Sequence, residues 1–119
     1  MKHEKDLRER TEAYALRIIR LYVALPSKNA VAQTLGRQVL RSGTSVGANY
    51  READQARSKA EFISKMGDCL KELAESDYWL TLLVKSETMP GDLLASLIAE
   101  TSELIAIFTT IINRAKGAE

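Results

Sequence analysis

The sequence predicts an all-α protein: an antiparallel up-down four-helix bundle in a single domain. Three observations predict it. Apolar residues recur at alternating steps of three and four along four successive segments, the spacing that lines one face of a helix. Only two prolines and six glycines punctuate 119 residues, which suits a few long helices and not many short strands. The connections between segments are short, and short connections make neighbouring helices antiparallel. With 45% apolar and 28% charged residues the chain is globular and not disordered, and its length suits one domain.

The first segment spans about 3–25. Its stripe is Leu7, Thr11, Tyr14, Ile18, Leu21 and Leu25, and Pro26 stops it. The second spans about 29–57, with Ser27 or Asn29 able to accept a bond from a free backbone N–H at its start. Its stripe is Val31, Leu35, Val39, Ser42, Val46, Asn49 and Ala53, apolar in spacing but partly polar in content.

The third segment spans about 58–87. Ser58 and Glu61 form S-x-x-E, a capping box, just before Phe62 and Ile63. Its stripe is Ile63, Met66, Leu70, Leu73, Asp77, Leu80 and Val84. Thr88-Met89-Pro90-Gly91 breaks the chain, with Pro90 suited to a helix start. The fourth spans about 91–116, with a stripe of Leu93, Leu97, Thr101, Leu104, Phe108, Ile111 and Ala115. Arg114 and Lys116 suit the negative end of its dipole, and Gly117 follows.

One stretch of the second segment offers competing chemistry. Gly43-Thr44-Ser45-Val46-Gly47 fits G-x-S-x-G, the nucleophile elbow of serine hydrolases. That elbow needs a strand before it and a base beside it. No strand pattern is present, and the one histidine is His3, in a charged terminus. A phosphate-binding P-loop needs Lys and Ser/Thr after its last glycine, and Ala48-Asn49 follow instead.

Packing explains the glycines better. Gly36, Gly43 and Gly47 each weaken a helix by about 1 kcal/mol relative to Ala. Such a cost survives where another helix approaches closely. Pairing the second and third segments about Arg57-Ser58 places Asp77 opposite Gln38, in reach of Arg37 or Arg41, a register-fixing polar network.

The net charge of +1 hides a split. Residues 1–66 carry 13 Lys/Arg against 7 Asp/Glu, and residues 67–119 carry 4 against 9. The split either makes a basic face for nucleic acid or draws antiparallel helices together. Cys69 is the one cysteine, so neither an internal disulfide nor a multi-cysteine zinc site can form. Glu72, Glu75 and Asp77 lack the Glu-x-x-His partner of di-iron bundles. No catalytic residue, metal or cofactor is therefore assigned. The charged N-terminus has no apolar core of a secretory signal, and no run of 18 apolar residues spans a membrane. The expectation is a cytoplasmic protein.

The stretch Ser45–Ala53 (SVGANYREA), then Ser58–Phe62 (SKAEF), then Leu70–Leu80 (LKELAESDYWL) resembles the four-helix-bundle family encoded in 23S rRNA intervening sequences. Ser102–Ile112 (SELIAIFTTII) fits as well, and the resemblance covers nearly the whole chain. Many members carry proline where Gly47 stands and Glu-Gly where Glu52-Ala53 stand, so this sequence is similar to the branch without them. The resemblance implies a homopentameric ring, in a family with no established enzymatic activity. It also implies kinship with the accessory protein of diversity-generating retroelements, a basic pentamer that works with a reverse transcriptase and nucleic acid.

The residues carry their own signal of assembly. Beyond the core stripes lie Leu94, Ile98, Ile105 and Ile112 in the fourth segment, Trp79, Leu82 and Leu83 in the third, and Ile19, Tyr22 and Val23 in the first. Of these, Leu94, Ile98, Ile105, Ile112, Trp79 and Leu83 are the expected subunit interface. Arg8, Arg10, Arg17, Arg20, Arg37, Arg41, Arg51, Arg57 and Lys59 are candidates for phosphate contacts to RNA or DNA. Two readings stay open. One is a nucleic-acid-associated adaptor, and the other is a protein-binding scaffold with an unidentified protein partner.

Overall fold

The computed structural model describes residues 2–117, with side chains from Leu7 onward; His3 lies outside the described side chains. The four helices are α1 (Lys2–Ala24), α2 (Ala30–Asp54), α3 (Lys59–Lys85) and α4 (Gly91–Ala115). Each packs on the next and α4 closes back on α1, with no diagonal contact among the described residues, so the topology is up-down-up-down. The long dimension is 47 Å and the other two are 23 and 21 Å. A 25-residue helix is about 38 Å long, so the helices run along the rod.

Local chemistry sets the helix ends. Asn29 caps α2, its side chain accepting from Ala32 N at 2.9 Å. Ser58 Oγ accepts from Glu61 N at 3.0 Å, while the Glu61 carboxylate accepts from Arg57 N at 3.1 Å. The capping box is therefore reciprocal, closing on the residue before the cap. Helix α2 ends at Asp54, short of the expected 57, because the N–H groups of Gln55 and Ala56 turn back to Glu52 and Ala53 carbonyls. Beyond α4, Gly117 takes φ +76, the left-handed position that glycine fills without strain. The end of α3 does the same with Glu87 at φ 60, where no glycine marks the turn in the sequence.

The α1 stripe is buried throughout, from Leu7 to Leu25. The other three faces are rotated from the expected ones. On α2 the core takes Ala32, Gly36, Gly43 and Tyr50, and Val31 is 52% exposed. On α3 it takes Cys69, Ser76 and Leu83 in place of Leu70, Asp77 and Val84. On α4 Leu94 and Ile112 turn inward, and Leu93 is 64% exposed. Small residues explain the first two rotations, because the helices pack closest where side chains are short.

The glycine faces show which helix comes close. A Cβ on Gly43 would lie 2.7 Å from Ile18 Cγ1, and one on Gly47 would lie 3.2 Å from Thr11 Oγ1. A Cβ on Gly36 would meet the Leu25 and Tyr22 side chains. The glycines thus admit α1, where the sequence suggested the partner of α2 to be α3.

Polar groups in the core are paired. Ser42 and Ser76 hydroxyls lie 2.7 Å apart between α2 and α3. Tyr14 Oη and Thr101 Oγ1 lie 2.7 Å apart between α1 and α4. Among the described residues, no buried side-chain nitrogen or oxygen lacks a partner. The expected pairing of Asp77 with Arg37 or Arg41 is not formed. Arg41 reaches Glu72 at 3.4 Å and bonds Glu75, because the α3 face turned Ser76 inward in its place.

Much of the charge split is neutralised between helices. Arg10 of α1 grips Glu100 of α4 through Nε at 3.1 Å and a second nitrogen at 2.7 Å. That bond, with the nearby Glu103, raises the Arg10 pKa further. Half-exposed pairs of this kind contribute about 0.5–1 kcal/mol each. By length and composition alone α4 is apolar enough to cross a membrane. In the bundle its large apolar stripe lies against the other helices, and Glu100 is held by α1.

Candidate functional site

The nine candidate cations fall into three groups. Four are engaged by carboxylates. Arg8 meets Asp54 at 3.2 Å, Arg10 meets Glu100, Arg41 meets Glu72 and Glu75, and Arg51 meets Glu12 at 3.5 Å. Arg17 donates to Ser96 Oγ at 2.6 Å. Among the described side chains, Arg20, Arg37, Arg57 and Lys59 have no carboxylate partner, and all four are exposed.

The structure does not gather these four in one place. Arg20 and Arg37 sit toward the α1–α2 connection, while Arg57 and Lys59 sit at the opposite end, where α2 passes into α3. The α2–α3 corner is the more concentrated. An open cleft of about 590 Å³ there is lined by Arg51, Glu52, Gln55, Arg57, Glu61 and Lys65. Lys65 was missed by sequence reasoning. It lies one and a half turns into α3 and donates to Glu52 at 2.7 Å, a bond that raises its pKa. Glu61 is spent on capping α3, and Glu52 on Lys65. The corner therefore presents cations to solvent with its carboxylates already occupied.

The expected interface residues need correction. Leu83, Leu94 and Ile112 are 0%, 2% and 7% exposed within a single chain, so they belong to the core. A helix drifts about 20° per seven residues, so Ile98, Ile105 and Ile112 do not hold one face, and Ile112 rotates inward. Ile98, Ile105 and Trp79 are half-buried against the core. The large exposed apolar residues are elsewhere: Leu16, Ile19 and Val23 on α1, Val31 on α2, Tyr78 on α3 and Leu93 on α4.

The G-x-S-x-G stretch lies in the middle of α2. Ser45 Oγ donates to Arg41 O at 2.7 Å, the back-bond of a helical serine. Burial pushes the Cys69 thiol up to about 12, so it stays protonated and inert at neutral pH. Glu72 and Glu75 are held by Arg41.

The model of the 23S rRNA-intervening sequence protein family matches residues 4–110. A similar solved structure is a crystal structure from Bacteroides thetaiotaomicron VPI-5482, described as a protein of unknown function from the S23 ribosomal protein family. It shares 36% identity with a TM-score of 0.85, over 95% of this chain and 99% of that one. No curated protein matches the chain. Four helices in this order, matched nearly end to end at this identity, place the chain in a family: it belongs to the 23S rRNA-intervening sequence proteins.

Proposed function

We propose that this protein is a non-catalytic, self-assembling helical bundle that associates with nucleic acid through phosphate contacts at the α2–α3 corner. One observation carries the reading: Arg57 and Lys59 are exposed there without a carboxylate partner among the described side chains, beside Arg51 and Lys65. Phosphates compete well for such cations, because each contact releases condensed counterions from the nucleic acid. Assembly would repeat the corner, so that contacts of modest strength add along one strand. The homopentamer implied by the family resemblance is the assembly we propose. The family description names an rRNA intervening sequence, which makes RNA the first nucleic acid to test.

The test is an affinity measurement against a structured RNA and a duplex DNA of equal length, repeated across salt concentrations. The reading predicts affinity that falls steeply and log-linearly with salt. Weak binding that salt does not change contradicts it.

One observation favours a second reading, a protein-binding scaffold. Tyr78 is 56% exposed and its ring lies 5.0 Å from that of Trp79. Exposed aromatic residues such as Tyr78 are enriched where proteins meet. Recovery of a stoichiometric protein partner that is lost on Tyr78→Ala, with no nucleic acid bound, would support it.

A further inference from the structure

The seam between α1 and α4 opens into a cleft at the end of the bundle opposite the α2–α3 corner. Its volume is about 340 Å³, within the roughly 300–1,000 Å³ of small-molecule sites. Its apolar walls are Leu21 and Ala24 of α1, Leu93, Leu94 and Leu97 of α4, and Met89 of the connection before α4. Arg17 and Arg20 complete the lining. No carboxylate is among the described lining residues.

The two helices run antiparallel, so the cleft changes character along its length. At the inner end Arg17 donates to Ser96 Oγ at 2.6 Å, and Arg20 follows within one turn of α1. At the outer end the lining is Ala24 and Met89. From Arg17 to Ala24 is about 10 Å of helix. A cationic end therefore passes into an apolar one over the length of a small molecule.

Nothing among the described side chains neutralises the cationic end. Arg17 spends one terminal nitrogen on Ser96, and neither Arg17 nor Arg20 meets a carboxylate. The acidic residues that flank Ser96 on α4 do not answer them. Asp92 does not line the cleft, and Glu100 is held by Arg10. A guanidinium takes a carboxylate through paired, charge-assisted hydrogen bonds. Leu93 is 64% exposed, so the apolar end has surface that a ligand would remove from water.

We infer that the α1/α4 cleft binds a small organic carboxylate. The anionic head lies between Arg17 and Arg20, and the apolar body lies across Leu21 and Leu93 toward Met89. Eight lining residues are few for a protein partner, which engages roughly 20–30 residues a side. The inference separates Arg17 and Arg20 from the α2–α3 corner and does not depend on what that corner binds.

The experiment is isothermal titration calorimetry of the full chain with octanoate, and in parallel with acetate and 1-octanol. Octanoate carries both head and body, acetate lacks the body, and 1-octanol lacks the charge. The variants are Arg20→Gln and Leu93→Glu, both at exposed positions, and circular dichroism checks that they remain helical. The expected result is saturable binding of one octanoate per chain, with acetate and 1-octanol each at least tenfold weaker. Arg20→Gln should weaken octanoate about tenfold, the loss of a charge-assisted hydrogen bond, and Leu93→Glu should abolish binding. Absence of saturable octanoate binding overturns the site. Octanoate binding that survives either substitution unchanged overturns the assigned pose, and 1-octanol binding as tight as octanoate overturns carboxylate recognition.

Discussion

Tyr14 donates its phenolic hydrogen to Thr101 Oγ1 at 2.7 Å, and this bond ties α1 to α4. The direction follows from Thr101, whose own hydrogen is committed to Leu97 O at 2.8 Å. These two helices are the most loosely packed neighbours in the bundle, so the bond spans the seam that packing closes least. Tyr14→Phe removes the donor and leaves Thr101 satisfied by its helix, at a cost of about 1 kcal/mol. Thr101→Val leaves a buried phenol without that acceptor and costs about 1–3 kcal/mol. Denaturant unfolding of both variants should rank Thr101→Val as the more damaging, and the reverse ranking would refute the assigned direction.

The glycines make opposite predictions according to what faces them. Gly43→Ala places a methyl 2.7 Å from Ile18 Cγ1. Overpacking of that kind costs about 1–3 kcal/mol, against a helix-propensity gain of about 1. Gly67, also mid-helix, has nothing within 4 Å of the same position. Gly67→Ala should therefore stabilise by up to about 1 kcal/mol. Thermal melts of the pair should move in opposite directions.

Stability should fall on the alkaline side. Burial raises the pKa of Tyr14 above 10.0 and that of Cys69 from 9.0 to about 12. Thr101 and Ser76 hydroxyls offset part of the Tyr14 shift. Both groups are neutral when protonated and ionise earlier in the unfolded chain. Their contribution is complete below the unfolded values and is lost as pH rises through the folded ones. Unfolding free energy should hold up to about pH 9 and then decline by about 1.4 kcal/mol per unit for each group titrating. Cys69→Ala should delay the onset toward the tyrosine range; an unchanged profile would exclude Cys69 as a source of the decline.

The corner proposed to meet phosphates predicts a change of slope. Arg57→Gln and Lys59→Gln leave the helices intact, because Ser58 and Glu61 supply the cap without either side chain. Each lost phosphate contact should lower the magnitude of the salt slope by about 1, uniformly across sequences. Arg8→Gln, which removes the partner of Asp54 at the same end of the bundle, should change the slope less.

The fold was legible because its signals are local. The α1 stripe, the Asn29 and Ser58 caps, the stop at Pro26 and the left-handed Gly117 all follow from residues within a turn or two. Face rotation was harder to read, because it depends on which neighbour comes close. Leu70, Asp77 and Val84 have the right spacing, but Cys69, Ser76 and Leu83 let α3 lie nearer the core. The same error made Leu83, Leu94 and Ile112 look like surface residues. The environments of the basic residues were not legible. Nothing in the chain order shows that Arg10 meets a carboxylate 90 positions away while the Arg57 side chain meets none among the described residues. Lys65 escaped notice because its place in the corner depends on the α2–α3 turn.

The central claim, a self-assembling bundle that carries nucleic acid, is tested most directly by a native mass spectrum of the protein purified without nuclease. The account predicts a multiple of the 13.2 kDa chain with additional mass that nuclease removes. A 13.2 kDa monomer with no added mass contradicts it.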